Sequence, residues 1–247
     1  ISDKTKARVR EAAIKMGYTA STAARRLQRG KSDTIGLVLE PGIVGLQSTY
    51  QSEFTAALAA SLSERDLDLI VHYVAKPEDE VAAYLRLARS GKVDGFVLLR
   101  TRREDLRVEA LLKENIPFVT QGRTEHGGRH AWYDIDLHSA FFDATQHLAQ
   151  LGHKDIAFVT GNQTAYSSAL RFNGFKSGLE AAKLDLDPSR VFEGDYSAES
   201  GRRAFNYFFS RANKPTAVVC ANDATAMGML AEANDAGFEV PKQLSVI

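Results

Sequence analysis

HLAQLGHKDIAFVTG, residues 147–161, combines the end of a helix, a glycine stop and an apolar strand. The first five letters continue an amphipathic pattern that starts near residue 139, and Gly152 is a natural end for such a helix. The run IAFVT that follows has no polar alternation, which is typical of a strand buried on both faces. A helix followed by a buried strand predicts a parallel sheet covered by helices.

The same alternation continues in both directions along the chain. Apolar runs predict strands over 34–39, 69–74, 95–99, 118–121, 156–160, 191–193 and 217–221. Amphipathic stretches between them predict helices over 52–65, 78–90, 106–114, 139–151, 169–181, 198–210 and 224–236. The elements form two successive sets that meet near Gly152. We therefore expect an α/β protein with two doubly wound parallel-sheet domains, at 32–152 and 153–247, preceded by a segment at 1–31.

In doubly wound folds, ligands bind beyond the carboxyl ends of the strands. This rule selects the residues that directly follow each predicted strand. They are Glu40, Arg100, 121–123, 161–163, Tyr196 and 222–223.

The bulk properties of the 247 residues exclude several classes of protein. No apolar run approaches the roughly 18–20 residues that span a bilayer, so no membrane association is expected. The start, ISDKTKARVREAA, has no apolar core of a signal peptide, and the single cysteine, Cys220, excludes an internal disulfide. We therefore expect a cytoplasmic protein.

The formal net charge is zero, but the charge is unevenly distributed. Residues 1–31 hold nine basic and two acidic residues, whereas the rest of the chain holds 22 basic and 29 acidic residues. A basic segment on an acidic body predicts a polyanionic partner at one end of the molecule.

The stretch STAARRLQRGK, residues 21–31, lies at the end of this basic segment. Ala23, Ala24 and Leu27 form a small apolar strip at helical spacing. A helix of about nine residues is shorter than the roughly 12–15 at which isolated helices become marginal. This stretch therefore needs a partner to fold.

Residues 4–16 predict a longer helix that ends at Gly17, with Val9, Ala13 and Met16 on one face. A single amphipathic helix has nothing to pack against. We therefore expect the chain to be part of a longer protein with further helices upstream.

Five motifs, in this order and spacing, resemble bacterial transcriptional regulators of the lactose-repressor/galactose-repressor (LacI/GalR) family. They are STAARRLQRGKSDTIGLVLE, HLAQLGHKDIAFVTG, RFNGFKSGLEAA, GDYSAESG and ANDATAMGML. The resemblance extends over essentially the whole chain. It implies a helix-turn-helix headpiece that is only partly present, a hinge helix, and a core similar to type I periplasmic sugar-binding proteins. It also implies a homodimer that binds double-stranded operator DNA.

The resemblance implies that STAARRLQ is the hinge helix, which folds when two protomers place their hinges in the DNA minor groove. Leu27 would be the apolar wedge that enters a base step, and Ala24 would allow close approach. The implied DNA-binding residues are Ser21, Ala24, Arg25, Arg26 and Leu27. The alternative is a solvated linker helix in which Leu27 caps the core.

In the second domain, the resemblance and the rule for strand ends together select the effector-binding candidates. Arg171 matches an arginine that donates to sugar hydroxyls, although a helix-face ion pair is the alternative. Tyr196 matches an aromatic position that stacks on ligand rings, with a buried structural tyrosine as the alternative. Asn222 offers an amide, whereas Asp223 either caps the next helix or contacts the ligand. Ser167 is a weaker addition.

In the first domain, Glu40, Tyr50 and Gln51 match positions near the effector. Many relatives have Asp-Arg where this chain has Gly122–Arg123. Arg123 could therefore contact a sugar or an acidic group, or form a structural salt bridge across the cleft. Trp132 is expected in the core, with stacking on a sugar ring as the alternative. The family continues beyond LSVI with further strands, so the second domain is expected to be incomplete at its C-terminal end.

Enzyme motifs are not found in the sequence. Neither G-x-G-x-x-G nor G-x-x-x-x-G-K-[ST] occurs, and the six histidines are scattered, so neither a cofactor nor a metal is expected. The favoured function is a repressor of sugar-utilisation genes that responds to a mono- or disaccharide bound between the two domains. The alternatives are a sugar-binding protein of a transporter and, less favoured, a sugar-modifying α/β enzyme.

Overall fold

The structure is a computed structural model that describes residues 2–17, 30–40, 46–125 and 128–247. After an N-terminal helix, α1 (Asp3–Lys15), the chain forms two units, each with its own parallel sheet. The first unit contains β1 (Thr34–Leu39), α2 (Leu46–Ser63), β2 (Asp68–Tyr73), α3 (Glu80–Arg89), β3 (Gly95–Leu98), α4 (Leu106–Lys113), β4 (Phe118–Gln121) and β5 (Ala131–Tyr133). The second contains α5 (Leu137–Gln150), β6 (Ile156–Thr160), α6 (Tyr166–Ala181), β7 (Val191–Glu193), α7 (Ala198–Phe209), β8 (Ala217–Cys220), α8 (Asp223–Asp235) and β9 (Ser245–Val246). The predicted fold class is confirmed.

The first sheet has the strand order β2-β1-β3-β4-β5, and all neighbouring strands are parallel. Its centre is apolar because β1 and β3 are covered by helices on both faces. Tyr84 of α3 packs its ring against the ring of Phe96 of β3, with the ring centres 4.8 Å apart. Leu98 and Leu111 complete this core and are fully buried.

The second sheet has the order β7-β6-β8-β9 and is also parallel throughout. Phe158 of β6 stacks on Phe175 of α6 at 4.9 Å between ring centres, and Phe141 of α5 packs on the same ring at 5.9 Å. Helix α5 therefore belongs to the second unit. The boundary between the two units was expected at 152/153, but in the structure the chain passes from one unit to the other at 134–136.

The glycines of the motif RFNGFKSGLEAA allow α5 and α6 to lie in close contact. A Cβ atom at Gly174 would clash with the backbone carbonyl of His138, and one at Gly178 would lie 2.6 Å from Cβ of Thr145. Their spacing of four residues places both on the face of α6 that contacts α5. Larger side chains at either position would separate the two helices.

The entry to the first sheet is fixed by Asp94, which lies directly before β3. Its carboxylate accepts hydrogen bonds from the backbone N–H of Ser32 at 2.7 Å, from the Ser32 hydroxyl at 3.0 Å and from the backbone N–H of Asp33 at 2.8 Å. Burial alone would raise the pKa of Asp94, but these hydrogen bonds lower it below its usual value. We call this arrangement the Asp94 anchor.

Two strands were not predicted, and two helices begin at least three residues earlier than expected. All three residues of β5 are exposed at the edge of the sheet, and β9 has two residues, so neither produces an apolar run. Helix α2 begins at Leu46 and α6 at Tyr166, in polar stretches without apolar periodicity.

Helix α1 confirms the predicted helix at 4–16 to within one residue at each end, and Val9 within it and Met16 directly after it are exposed. Residues 18–29, which include the whole predicted hinge helix, lie outside the described residues. None of the described helices has the length and apolar character needed to cross a bilayer.

Candidate ligand-binding cleft

The loops that follow β3 and β6 contact each other, so the carboxyl edges of the two sheets face one another. Arg102 and Ala165 form an isolated antiparallel bridge, and the backbone N–H of Arg103 donates to the carbonyl of Thr164 at 2.9 Å. We call the region enclosed by these loops, the 134–136 crossing and the first turns of α6 and α8 the cleft. Parallel-sheet proteins bind ligands at this edge.

Arg171, in the second turn of α6, is the exceptional charge of the cleft. Its guanidinium carbon lies 5.6 Å from the centre of the Phe141 ring and 5.4 Å from that of Tyr196. Its Nη1 donates to the Tyr196 hydroxyl at a long 3.5 Å, and its buried Nε has no hydrogen-bond partner. Within the described part of the chain, Arg171 forms no ion pair, so the helix-face ion pair considered for it is not observed.

Burial lowers the pKa of Arg171 because it disfavours the charged form. The Tyr196 hydroxyl and the nearby Asp134 carboxylate act in the opposite direction but do not cancel this effect. Arg171 is therefore a cation whose charge the surrounding residues only partly compensate.

Tyr196 lies beside Arg171 in an unusual backbone conformation, with φ of +68°. Its hydroxyl oxygen is 2.5 Å from the hydroxyl oxygen of Ser168, which is fully buried in the first turn of α6. Gly161 directly follows β6, and a Cβ atom there would overlap the Tyr196 ring. The ring therefore lies directly over the end of the strand.

Asn222 caps the N-terminus of α8 and also supports Tyr196. Its Oδ1 accepts from the backbone N–H and the hydroxyl of Thr225, at 3.1 and 2.7 Å. Its Nδ2 donates to the carbonyl of Tyr196 at 3.0 Å, which uses one of the two amide hydrogens. Asp223 is the first residue of α8 and is exposed, so the cap is Asn222 rather than Asp223.

Arg123 forms the other side of the cleft together with Asp134 of the crossing. Its Nε donates to Oδ2 of Asp134 at 3.1 Å. Of the two roles considered for Arg123, the structure therefore shows a salt bridge. The guanidinium also lies 5.3 Å from the centre of the Trp132 ring and 6.0 Å from that of Tyr166, which belongs to the second unit. Trp132 is 45% exposed, so its expected place in the core was wrong. Edge strand β5 leaves its ring uncovered.

Tyr50 and Gln51 are neighbours on α2 but lie in different surroundings. Burial raises the pKa of Tyr50, and the nearby Tyr133 and Asp134 raise it further, which places the phenol near the crossing. Gln51 is buried and lines a groove between α2 and β2, which the exposed Val71 also lines. The structure therefore brings Tyr50, but not Gln51, close to the residues of the cleft.

Glu40 follows β1 and is occupied by two arginines. Its carboxylate pairs with Arg100 at 3.4 Å and closely with Arg102, which also pairs with Glu80 at 2.8 Å. The guanidinium of Arg107 lies below them and contacts Glu80 at 3.1 Å. The first unit thus neutralises its arginines with its own acids.

The inner part of this network is completely buried. Arg107 also binds Asp105 through three hydrogen bonds of 2.8–3.1 Å. Burial alone would raise the pKa of Asp105, but the hydrogen bonds and charge of Arg107 lower it below its usual value. These residues support the loop whose backbone contacts the second unit.

The remaining predicted residues are less informative. Ser167 is partly exposed in the first turn of α6, next to Ser168. Ser21, Ala24, Arg25, Arg26 and Leu27 lie outside the described residues.

In the described ranges, no three His, Cys, Asp or Glu side chains are arranged to hold a metal ion. Burial raises the pKa of the Cys220 thiol to about 12, so this thiol is protonated near neutral pH.

Four residues of the cleft were not selected from the sequence: Phe141, Asp134, Tyr166 and Ser168. Gly161 directly follows an apolar strand, so the rule for strand ends selects it, but it was not assigned a role. Ser168 carries no signal of its own, because its contact with Tyr196 spans 28 residues of sequence.

Comparison with known proteins identifies the class of this two-unit core. The family of periplasmic binding protein-like domains matches residues 145–247. The regulatory protein of the LacI family from Chloroflexus aggregans superposes with a TM-score of 0.77 at 27% identity, covering 87% of this chain and 77% of that one. The complex of the transcriptional regulator CelR with cellobiose has a TM-score of 0.78 at 25% identity, covering 100% and 73%.

Curated relatives define the family more closely. The HTH-type transcriptional regulator AglR of Rhizobium meliloti is 37% identical over 249 residues, which cover 100% of this chain and 69% of the relative. RafR of Escherichia coli, also an HTH-type transcriptional regulator, is 31% identical over 229 residues, covering 92% and 67%. The chain belongs to the LacI family of HTH-type transcriptional regulators. This membership supports the regulator over the transporter alternative.

Proposed function

We propose that this regulator is a cytoplasmic repressor of sugar-utilisation genes, controlled by a mono- or disaccharide that binds in the cleft. The observation that carries the proposal is Arg171, a partly buried guanidinium without an ion pair among the described residues. A buried donor without an acceptor costs about 1–3 kcal/mol. A ligand oxygen at Arg171 removes this cost, so ligand binding is favoured.

The surroundings of the two cleft arginines favour a sugar. Tyr196 and Phe141 lie beside Arg171, and Trp132 and Tyr166 lie beside Arg123. Sugar rings present apolar C–H faces to aromatic rings and hydroxyls to planar guanidinium donors. The cellobiose bound to the structurally similar CelR supports this choice of ligand class.

The proposed sugar-binding side chains differ in how many of their hydrogen-bonding groups are still free to contact a ligand. Arg171 and Tyr196 are the primary residues, and Asn222 has one amide hydrogen left beyond its contact with Tyr196. Tyr50 and Arg123 complete the site from the first unit. The remaining expected positions are Glu40, Gln51, Ser167 and Asp223, and of these Glu40 would have to exchange ion pairs to reach a ligand.

Thermal unfolding with a panel of sugars tests the ligand class. The panel contains neutral mono- and disaccharides and two anionic sugars, glucuronate and glucose 6-phosphate. A ligand at 100 times its Kd stabilises the folded state by about 2.7 kcal/mol, so a neutral sugar should raise the midpoint by several degrees. A response to the anionic sugars alone would contradict the proposal that the ligand is a neutral sugar. A lack of response to every sugar of the panel would contradict the proposal that the cleft binds a sugar.

We propose that closure of the cleft couples sugar to DNA. A sugar that contacts both units favours one closure angle, and only this difference in affinity can shift the population. Coupling of 1–3 kcal/mol changes DNA affinity by about 5–150-fold. If the sugar is an inducer, as we propose, Arg171→Ala should bind operator in the absence of sugar and no longer release it. Release at the parent's sugar concentration would remove Arg171 from the site.

For DNA, we propose a pseudo-palindromic operator with two hinge helices at its centre. Because phosphate neutralisation contributes much of the affinity, log K should fall steeply with log salt. Leu27→Ala should reduce operator bending and specific affinity while retaining most of this salt slope. A variant that bends DNA as the parent does would contradict the wedge role of Leu27.

We propose a parallel homodimer that uses both units. In the first unit, Val71 and Tyr73 of β2 are 39% and 62% exposed beside α2, at a groove of about 430 Å³. In the second, Met227, Leu230 and Val240 form another exposed apolar group. A palindromic operator requires the same two-fold symmetry. Sedimentation should therefore show a dimer at micromolar concentration for the parent and a larger monomer fraction for Tyr73→Glu.

A further inference from the structure

The hydroxyl of Tyr196 is held by a residue outside the expected site. Ser168 is completely buried, and its Oγ lies 2.5 Å from Oη of Tyr196. The aromatic ring occupies the space above Gly161, where any side chain would overlap it. Both the ring and its hydroxyl are therefore placed by residues of β6 and α6.

The backbone of Tyr196 is fixed as well. Its φ of +68° lies in the left-handed region, which residues with a side chain rarely adopt. The amide of Asn222 donates to its carbonyl at 3.0 Å. A residue constrained at both its backbone and its hydroxyl has little freedom to adapt to a ligand, so its position sets the geometry around it.

The hydrogen-bond chemistry assigns a direction to the contacts of Tyr196. Arg171 has donors but no acceptor, so the Tyr196 oxygen accepts from Nη1 of Arg171. The O–H of Tyr196 is then free to donate to Oγ of Ser168. This arrangement keeps acceptor capacity on the Tyr196 oxygen next to the unused donors of Arg171.

We infer that Ser168 is a positioning residue that acts through Tyr196 on the guanidinium of Arg171. The inference rests on the proposed sugar-binding function and adds a preference to it. Adjacent donors on Arg171 and an acceptor on Tyr196 match a sugar hydroxyl, which both accepts and donates a hydrogen bond. Ser168, rather than its neighbour Ser167, is the serine of α6 that determines this pairing.

A measurement without ligand tests the positioning directly. In the ¹⁵N-labelled chain, the Nε–Hε resonance of Arg171 is identified by its loss in Arg171→Lys. Ser168→Ala and Tyr196→Phe each remove the same hydroxyl contact, so each should shift this resonance. The matched control is Ser177→Ala on the same helix, whose hydroxyl contacts His138 at 3.4 Å, and it should leave the resonance unchanged.

Titration with maltose and cellobiose adds the functional readout. For the sugar that binds the parent, Ser168→Ala and Tyr196→Phe should each weaken affinity about three- to ten-fold. The double variant should be no weaker than Tyr196→Phe alone, since both changes remove one contact. Thermal midpoints of the free proteins should change equally little for Ser168→Ala and Ser177→Ala.

The outcomes separate the inference from the proposed function. An unchanged Arg171 resonance in both Ser168→Ala and Tyr196→Phe overturns the inference, even if sugar binds normally. Additive losses in affinity overturn it as well. A parent that binds neither sugar counts against the proposed function for these sugars, while the resonance still decides whether Ser168 positions Arg171.

Discussion

Arg107, which is completely buried, and Arg171, which is partly buried, both lie near the carboxyl edge of a parallel sheet, but their surroundings are opposite. Arg107 in the first unit is 2% exposed and pairs with Glu80 and Asp105. Arg171 in the second unit lies beside aromatic rings, and its only hydrogen bond among the described residues is the long one to Tyr196. Arg107 is therefore part of the folded scaffold, whereas Arg171 is the arginine that we propose binds the ligand.

The difference follows from the cost of burying charge. A buried cation is stable only when acceptors replace the water it has lost. The first unit provides these acceptors from its own chain. At Arg171 the described part of the second unit provides no such acid, which is why we propose that a ligand provides the acceptors there.

The largest expected effect is the loss of stability when the inner network is broken. Arg107→Met should lower the free energy of unfolding by about 3–5 kcal/mol, because it leaves Glu80 and Asp105 buried without their cation. Urea unfolding monitored by circular dichroism measures it. Arg171→Met serves as the matched control, and equal losses in the two variants would break the distinction between the two arginines.

The next effect concerns affinity. Arg171→Lys keeps the charge but loses the planar fork, so sugar affinity should fall about 10–100-fold while the free energy of unfolding stays within about 0.5 kcal/mol of the parent. Calorimetric titration with the sugar found in the thermal panel measures it. Retained affinity in Arg171→Lys would mean that only the charge, and not the donor geometry, contacts the ligand.

A smaller effect appears in the pH dependence of stability. The pKa of Asp105 is lowered in the folded state, so its contribution is present above about pH 4 and lost as pH falls through the folded pKa. In Arg107→Met, burial without the cation should instead raise this pKa. The stability difference between parent and variant should therefore narrow between pH 7 and pH 3.5, as measured by urea unfolding. A constant difference would remove Asp105 from the network energetics.

The smallest effect is expected at Arg171 in the absence of ligand. Arg171→Met should leave the free energy of unfolding unchanged within about 0.5 kcal/mol, or raise it slightly, since a partly compensated buried charge is replaced by an apolar chain. A loss above about 2 kcal/mol would show that Arg171 has a structural partner. Such a result would contradict its assignment to the ligand.

The sequence predicted the sheets well because buried strands leave a local signal. The apolar runs at 34–39, 118–121, 156–160 and 191–193 match strands of the structure residue by residue. Edge strand β5 left no such signal, because all its residues are exposed. The sequence also could not predict that α5 belongs to the second unit, because this depends on the packing of Phe141 against Phe158 and not on a local pattern.

The site was only partly predictable for a related reason. Arg171, Tyr196 and Asn222 lie in recognisable motifs, and the structure places Arg171 and Asn222 in contact with Tyr196. Gln51 lies in a different groove, because a step of one residue on a helix turns the side chain by about 100°. Ser168 owes its position to a contact between distant segments, which no local pattern encodes.

The Asp94 anchor has a consequence for the avidity of the proposed dimer on DNA. It fixes the point at which the N-terminal segment leaves the first sheet, so the distance between the two anchors sets how far each arm must reach. Once one arm is bound, the effective concentration of the second at its half-site depends on that distance. Avidity can exceed the affinity of one arm by 10²–10⁴-fold and is lost when the span no longer fits. A rotation that moves the anchors apart would therefore release the operator without any change in the charge of the two arms.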